Sequence, residues 1–271
     1  MARTQEDGAR AALRSDIAWS THDRIGVLGY DLTQELMGHI NLGDMAFLEV
    51  TRRLPNERES RMFNALLVTL VEHGIVPSTL VARLTYDGAP EAVQAAVAAG
   101  LLGLGSVFVG STEAAARMLA EALPDPKAEV SLPAIAQRIV ADHRAAKRVV
   151  PGLGHPVHKP ADPRTTRLFT IAHETGFSGR YIELIKLVQD AAEKAAGKPL
   201  PLNATGAIGA ICCEMGLPWS ICRGLGVMAR AVGLVGHILE ESRNPLGLEV
   251  WRRVEEEASA SIRGKLRGDE R

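Results

Sequence analysis

An all-α fold is what this 271-residue sequence predicts, on three observations. Apolar residues recur at three- and four-residue spacing through most of the chain, the signature of amphipathic helices. Glycines stand just past several of these runs, as Gly176 and Gly197 do, where helices commonly stop. Strand-type alternation is confined to Arg24–Leu28.

The elements follow in chain order. Glu91–Leu102 is an alanine-rich helix. Thr112–Leu123 opens on Ser111 or Thr112, either of which has a hydroxyl suited to a cap. Ser131–Lys147 carries Pro133 in its first turn, where proline is tolerated. Arg164–Thr175 and Tyr181–Ala196 end at the two glycines, and Asn203–Met215, Pro218–Glu240 and Leu248–Arg263 complete the set. Residues 1–20 and the charged end GKLRGDER are expected to be frayed or exposed. No solenoid period, low-complexity segment or linker interrupts the chain.

Composition narrows the function. The chain is 46% hydrophobic and 23% charged with a net charge of -1, a balance that supports one large core or two modest lobes. A nucleic-acid binder shows a basic surplus, so nucleic acid is not an expected partner. No apolar run approaches the ~20 residues of a spanning helix, and the polar N-terminus lacks the apolar stretch of a secretion signal. No membrane partner is expected, and the cytoplasm is the expected location. Cys212, Cys213 and Cys222 cluster in one helical stretch, where neighbouring cysteines pair badly, and read as reduced core thiols.

Three groups of residues invite chemistry. Gly100, Gly103, Gly105 and Gly110 suggest a nucleotide loop, but Phe108 breaks the GxGxxG spacing and the preceding segment is helical, which favours close packing or a bent connection. His155 and His158 have Pro156 between them and no cysteine or carboxylate signature nearby, so no metal site is expected. The whole segment Val149–Arg164, VVPGLGHPVHKPADPR, is harder to set aside. Its glycines and prolines can bend the backbone around a ligand, His155 can move a proton near neutral pH, and Arg164 offers a fork for a carboxylate. A cation at a helix start opposes the dipole, so a structural cap explains Arg164 poorly. An anion-binding catalytic loop and a structural turn both remain open. Arg230 and His237 interrupt the apolar helix VMARAVGLVGHILE. A buried arginine needs an anionic ligand or a carboxylate such as Glu214 or Glu240.

Five segments in order resemble the citrate synthase superfamily, in particular its short citryl-CoA lyase members and the lyase module of ATP-citrate lyase. GLGHPVHKPADPR resembles the family's G-x-G-H…D-P-R, and Glu72-His73-Gly74 with Pro77-Ser78-Thr79 resembles D-H-G…S-T. Leu202 to Gly209, LNATGAIG, is similar to L-N-V-D-G-x-I-G, and Ala229 to His237, ARAVGLVGH, to A-R-x-x-G-x-x-A-H. Gly29-Tyr30-Asp31-Leu32 resembles the lead-in to the first helix.

The resemblance implies a citrate synthase-like two-lobed helical fold and a homodimer or higher homo-oligomer. Its large lobe would combine residues 1–109 and 216–271, with a small inserted lobe over 110–215. It implies a dicarboxylate and an acyl-CoA as small-molecule partners, with coenzyme A entering as a thioester substrate and no permanently bound cofactor. His73, Arg164 and Arg230 would hold the oxaloacetate portion, with Arg243 supplied across the dimer. His155 would be the acid–base group. Gly152, Leu153 and Gly154 would lie along the CoA thioester, and Lys159 and Arg148 are assigned to CoA phosphates by charge and proximity.

Two positions depart from the family pattern. Phe108 stands where a synthase has its catalytic histidine, which resembles the ATP-citrate lyase module and points to cleavage. Thr205 stands at the family's catalytic aspartate, and a hydroxyl ionises too weakly to replace a carboxylate; losing such a group costs about 10²–10⁴-fold in rate. The expected activity is carbon–carbon cleavage of citryl-CoA, or a related 3-hydroxy-3-carboxyacyl-CoA, to acetyl-CoA and oxaloacetate. A synthase-type acyltransferase and a catalytically silent dicarboxylate- or CoA-binding homologue are the alternatives.

Overall fold

The computed structural model describes residues 13–106, 109–154 and 160–264. These residues fall into two compact units, divided after Ser60.

The first unit opens with a small antiparallel meander, β1 (Ala18–Ser20), β2 (Ile25–Val27) and β3 (Tyr30–Asp31). Ala18 lies opposite Val27, which in turn faces Tyr30. The expected strand over Arg24–Leu28 is thus the middle one. Ala18–Ser20 are exposed, as expected of the first twenty residues, and they pair with it rather than fray. The turn between β2 and β3 holds Leu28 at φ +49 and Gly29 at φ +93, both positive as a two-residue hairpin turn requires. A π-helical turn, Leu32–Leu36, and helix α1 (Leu42–Thr51) follow. Val27, Leu36 and Leu48 form this unit's core. Strands of two and three residues are too short to show a period, which is why the outer two escape a reading by alternation.

Helix α2 (Glu57–Val71) starts with a reciprocal cap. The Glu59 amide donates to Asn56 Oδ1 at 3.0 Å and the Asn56 amide to Glu59 Oε2 at 2.9 Å.

The second unit is built from α3 (Pro77–Gly88), α4 (Val93–Leu102), α5 (Gly110–Ala122), α6 (Leu132–Ala145), α7 (Pro163–Thr175), α8 (Arg180–Ala196), α9 (Ala204–Glu214), α10 (Cys222–Glu241) and α11 (Gly247–Ser259). Every helix expected beyond residue 90 is present, with ends shifted by a few residues. Helix α3 is invisible to an apolar-stripe reading because Ser78, Thr79, Ala82 and Arg83 form its buried face.

Helix α9 is buried along most of its length and packs against α5, α7 and α8. Gly209 makes the closest of these contacts possible, since a Cβ there would stand 2.8 Å from the Ala116 amide nitrogen. Helix α10 packs on α3, α4 and α5. Gly100 lets α4 reach it, because a Cβ would sit 2.9 Å from Ser78 O and against Leu234; the packing reading of that glycine holds.

Trp219–Glu241, which is α10 with the short 3-10 turn before it, has 23 residues of mean hydropathy 1.3, long and apolar enough to cross a membrane by length and composition. That corrects the expectation that no stretch reaches this length. Arg230, His237 and Glu241 lie on its buried face, as in a core helix.

The three cysteines are free thiols, with Cys212 and Cys222 buried. A hydrogen bond with Cys222, together with burial, pushes the Cys212 thiol well up. Burial first, then the neighbouring Cys222 and Glu214, pushes Cys213 up to about 12.

Candidate active site

Asn203 ties the glycine-rich loop to the start of α9. The loop's Leu153 bridges antiparallel to Leu202, the Gly154 amide donates to Pro201 O at 2.8 Å, and the Asn203 amide to Gly152 O at 3.0 Å. Asn203 Nδ2 reaches forward to Gly154 O at 2.7 Å. The same side chain caps α9 through Oδ1, which accepts from the Thr205 and Gly206 amides at 3.0 and 3.1 Å. Gly152 sits at φ +87, and a Cβ on it would lie 2.5 Å from the Gly206 Cα. Loop and helix therefore meet backbone to backbone, a contact only glycine allows.

Asp162 completes the junction from the α7 side. It is 0% exposed and caps its own helix, with Oδ1 accepting from the Arg164 amide at 3.0 Å. Its Oδ2 accepts from the Ala204 amide at 3.0 Å, so one carboxylate caps two helices. Arg164 closes on it with a fork, Nε to Oδ1 at 3.0 Å and Nη2 to Oδ2 at 2.8 Å. Burial pushes the Asp162 carboxyl up, but the Arg164 fork and the two amides outweigh it and hold the group below the ordinary carboxylate range. The expectation that a structural cap explains Arg164 poorly is corrected, since Arg164 braces the Asp162 cap.

Thr205 lies in the first turn of α9 and gives its hydroxyl proton to Asn203 Oδ1 at 2.7 Å.

A second charged cluster lines α10. Arg230 is 8% exposed, and among the described residues neither Nε nor Nη1 has a hydrogen-bond partner. The nearest carboxylate oxygen is Glu72 Oε2, 3.9 Å from Nη1. Burial lowers the Arg230 pKa and Glu72 offsets part of the effect. Of the two alternatives left open for Arg230, a salt bridge to Glu214 or Glu240 is not formed, because both carboxylates are engaged elsewhere. Glu214 accepts from the Tyr181 and Ile182 amides at the start of α8, and Glu240 pairs with Arg83. His237 Nε2 lies 3.1 Å from Glu72 Oε2. Gly233 lets α10 come this close to Glu72, since a Cβ there would run into Val71 O and the Glu72 carboxylate.

A family model described as the citrate synthase C-terminal domain matches residues 22–252. The chain belongs to the citrate synthase family. Within it, the chain is similar to the solved citryl-CoA lyase from Hydrogenobacter thermophilus, at 33% identity and TM-score 0.81 over 94% of this chain and 96% of that one. That makes it a citryl-CoA lyase-like member of the citrate synthase family. The ATP citrate lyase from Methanothrix soehngenii, solved in complex with citrate and coenzyme A, shares the fold at TM-score 0.70 and 21% identity, covering 86% of this chain and 39% of that chain. A probable ATP-citrate synthase from Dictyostelium discoideum is 25% identical over 243 residues, 83% of this chain. The match spans 38% of that relative's own length.

The other residues expected in a citrate synthase site are placed as follows. His73 is exposed just past the end of α2, and Arg243 is exposed just past α10. Arg148 lines a cleft of about 490 Å³ between α5 and α6, with Arg117, Arg138, His143 and Pro151, and with Glu121 and Asp142 as its acidic members. Phe108, His155, His158 and Lys159 lie outside the described residues.

Asp162 and Arg83 were not singled out from sequence. Aspartate followed by proline is a helix-start signature, so Asp162 was findable. Nothing in the sequence marks Arg83, whose helix has no apolar stripe.

Proposed function

We propose that the chain is a carbon–carbon lyase that cleaves citryl-CoA, or a close 3-hydroxy-3-carboxyacyl-CoA relative, to acetyl-CoA and oxaloacetate. The observation that carries this reading is the Arg230 guanidinium, buried with two nitrogens that have no hydrogen-bond partner among the described residues. A desolvated cation held this way is costly in a core and is stabilised by an incoming carboxylate. Likeness to a citryl-CoA lyase over nearly the whole of both chains supports the choice of substrate.

In the cleavage direction a base takes the citryl hydroxyl proton and the oxaloacetate carbonyl forms as the carbon–carbon bond breaks. The bond's electron pair passes into the thioester enolate, whose carbon then takes a proton. We assign the base to His155 by family resemblance. Thr205 has its own proton committed to Asn203, so the proton for the enolate comes from water. The stapled loop Gly152–Gly154 is assigned to the thioester, and the cleft around Arg138 and Arg148 to the phosphates of coenzyme A.

We assign the working form to a homodimer. Met228, Val232, Val235 and Leu239 are exposed at helical spacing along the outer face of α10. Helix α3 packs on both α10 and α11, and these neighbours expose Val81, Leu84, Trp251 and Val254. An apolar face shared by three packed helices fits a two-fold contact with a second copy. Sedimentation should give a dimer that Val235→Glu splits; a wild-type monomer at assay concentrations would overturn the assignment.

The test of the activity is oxaloacetate release from citryl-CoA, followed by coupled NADH oxidation. Turnover lost in Arg230→Ala is the expected result. Thermal stabilisation by oxaloacetate and coenzyme A without turnover would replace the lyase with a silent binder, and neither response would overturn the reading.

A further inference from the structure

Arg83 belongs to none of the groups assigned to substrate, yet it sits directly behind them. It is 1% exposed, and its fork is fully committed. Nη1 donates to Glu241 Oε2 at 2.5 Å, and Nη2 donates to Glu240 Oε2. Nη2 and Nε also face His237 Nδ1 at 2.9 and 3.3 Å. Glu241 is itself held by the Leu246 and Gly247 amides, each at 2.6 Å from its Oε1.

A guanidinium donates hydrogen bonds and accepts none. Nδ1 must therefore present a lone pair to Arg83, and the ring proton stands on Nε2, 3.1 Å from Glu72 Oε2. We infer that Arg83 is a positioning residue: it holds His237 as the neutral Nε2–H tautomer, so that α10 offers a fixed hydrogen-bond donor beside Arg230 to the carboxylate seated there. Glu72 accepts that hydrogen bond in the structure, and a substrate carboxylate takes its place. This role rests on the reading of Arg230 as the anion seat. A lysine at residue 83 could not replace the fork, because its ammonium is a point charge without the planar spread of donors.

The test begins with the ¹⁵N spectrum of the His237 ring in the full-length protein without ligand. A bare Nδ1 and a protonated Nε2 are expected; a proton on Nδ1 overturns the inference whatever else is measured. Arg83→Lys should lose the single tautomer while circular dichroism stays helical, and if that variant does not fold, the wild-type spectrum decides. Oxaloacetate titrations then test the donor. His237→Gln, whose amide reaches the Nε2 position, should bind within about threefold of wild type. His237→Asn should bind about ten- to a hundredfold more weakly, as for a lost hydrogen bond to a charged group, and Glu72→Gln should bind more tightly. Wild-type affinity in His237→Asn would overturn the donor role. If neither wild type nor Arg230→Ala binds oxaloacetate, the reading of the anion seat fails, and the Arg83 assignment is judged by the spectrum alone.

Discussion

Thr205 donates its hydroxyl proton to Asn203 Oδ1 at 2.7 Å, inside the cap of α9. Thr205, which the family resemblance would align with a catalytic aspartate, is thus part of the junction between loop and helix and is not a free acid. Thr205→Ala should lower citryl-CoA turnover by less than about tenfold, well short of the 10²–10⁴ typical of a lost general acid or base. Thr205→Asp should raise turnover, and a drop in kcat in that variant would show that the proton does not arrive at this position.

Asp162 makes stability depend on acid. Its carboxyl is held below the ordinary range in the folded chain, so its contribution is complete above the unfolded value of about 4. It fades as pH falls from there through the folded value. Asp162→Asn should cost roughly 2–4 kcal/mol at neutral pH, since the Arg164 fork loses its carboxylate. The gap between variant and wild type should narrow as pH falls below about 4. Urea unfolding at a series of pH values measures both.

Gly152→Ala should cost about 3 kcal/mol or more. The φ of +87 is unfavourable for alanine, and the methyl would meet the Gly206 backbone, which has no flexible side chain to move aside. Denaturant midpoints for this variant and for Gly154→Ala separate the two effects, because Gly154 shares a positive φ, +82, but has no described atom within 4 Å of its Cβ position.

Arg230 should show stability and function pulling apart. Arg230→Met removes a desolvated cation, two of whose nitrogens find no hydrogen-bond partner among the described residues. The unliganded protein should melt at the same temperature or higher, by up to about 2 kcal/mol, while oxaloacetate no longer raises its Tm. A variant clearly less stable than wild type would mean that Glu72 at 3.9 Å is a stronger partner than its distance suggests.

The helices from residue 91 onward were legible because each has its own period and a stop. Gly176 and Gly197 stand past α7 and α8 at φ +76 and +64, where periodicity placed the ends. Helix α3 was not legible, because its inner face is hydroxyls and an arginine whose partners lie 154 and 158 residues away on α10. In the site, the polar residues of the loop stood out by type, but their pairing did not. Arg164 and Asp162 are two residues apart in sequence, and only the folded turn shows that one closes on the other.

The three thiols of α9 and α10 bear on any thioester held nearby. An acyl-CoA is an acylating agent, and a thiolate within reach would take the acyl group onto the protein and stall the cycle. With Cys213 pushed up to about 12, only about one molecule in 10⁵ carries that thiolate at neutral pH, and Cys212 is pushed up as well. The packing that pushes the Cys212 and Cys213 thiols up thus also keeps those two sulfurs unreactive towards a thioester, so that the sulfur of a coenzyme A substrate would be the one that carries the acyl group.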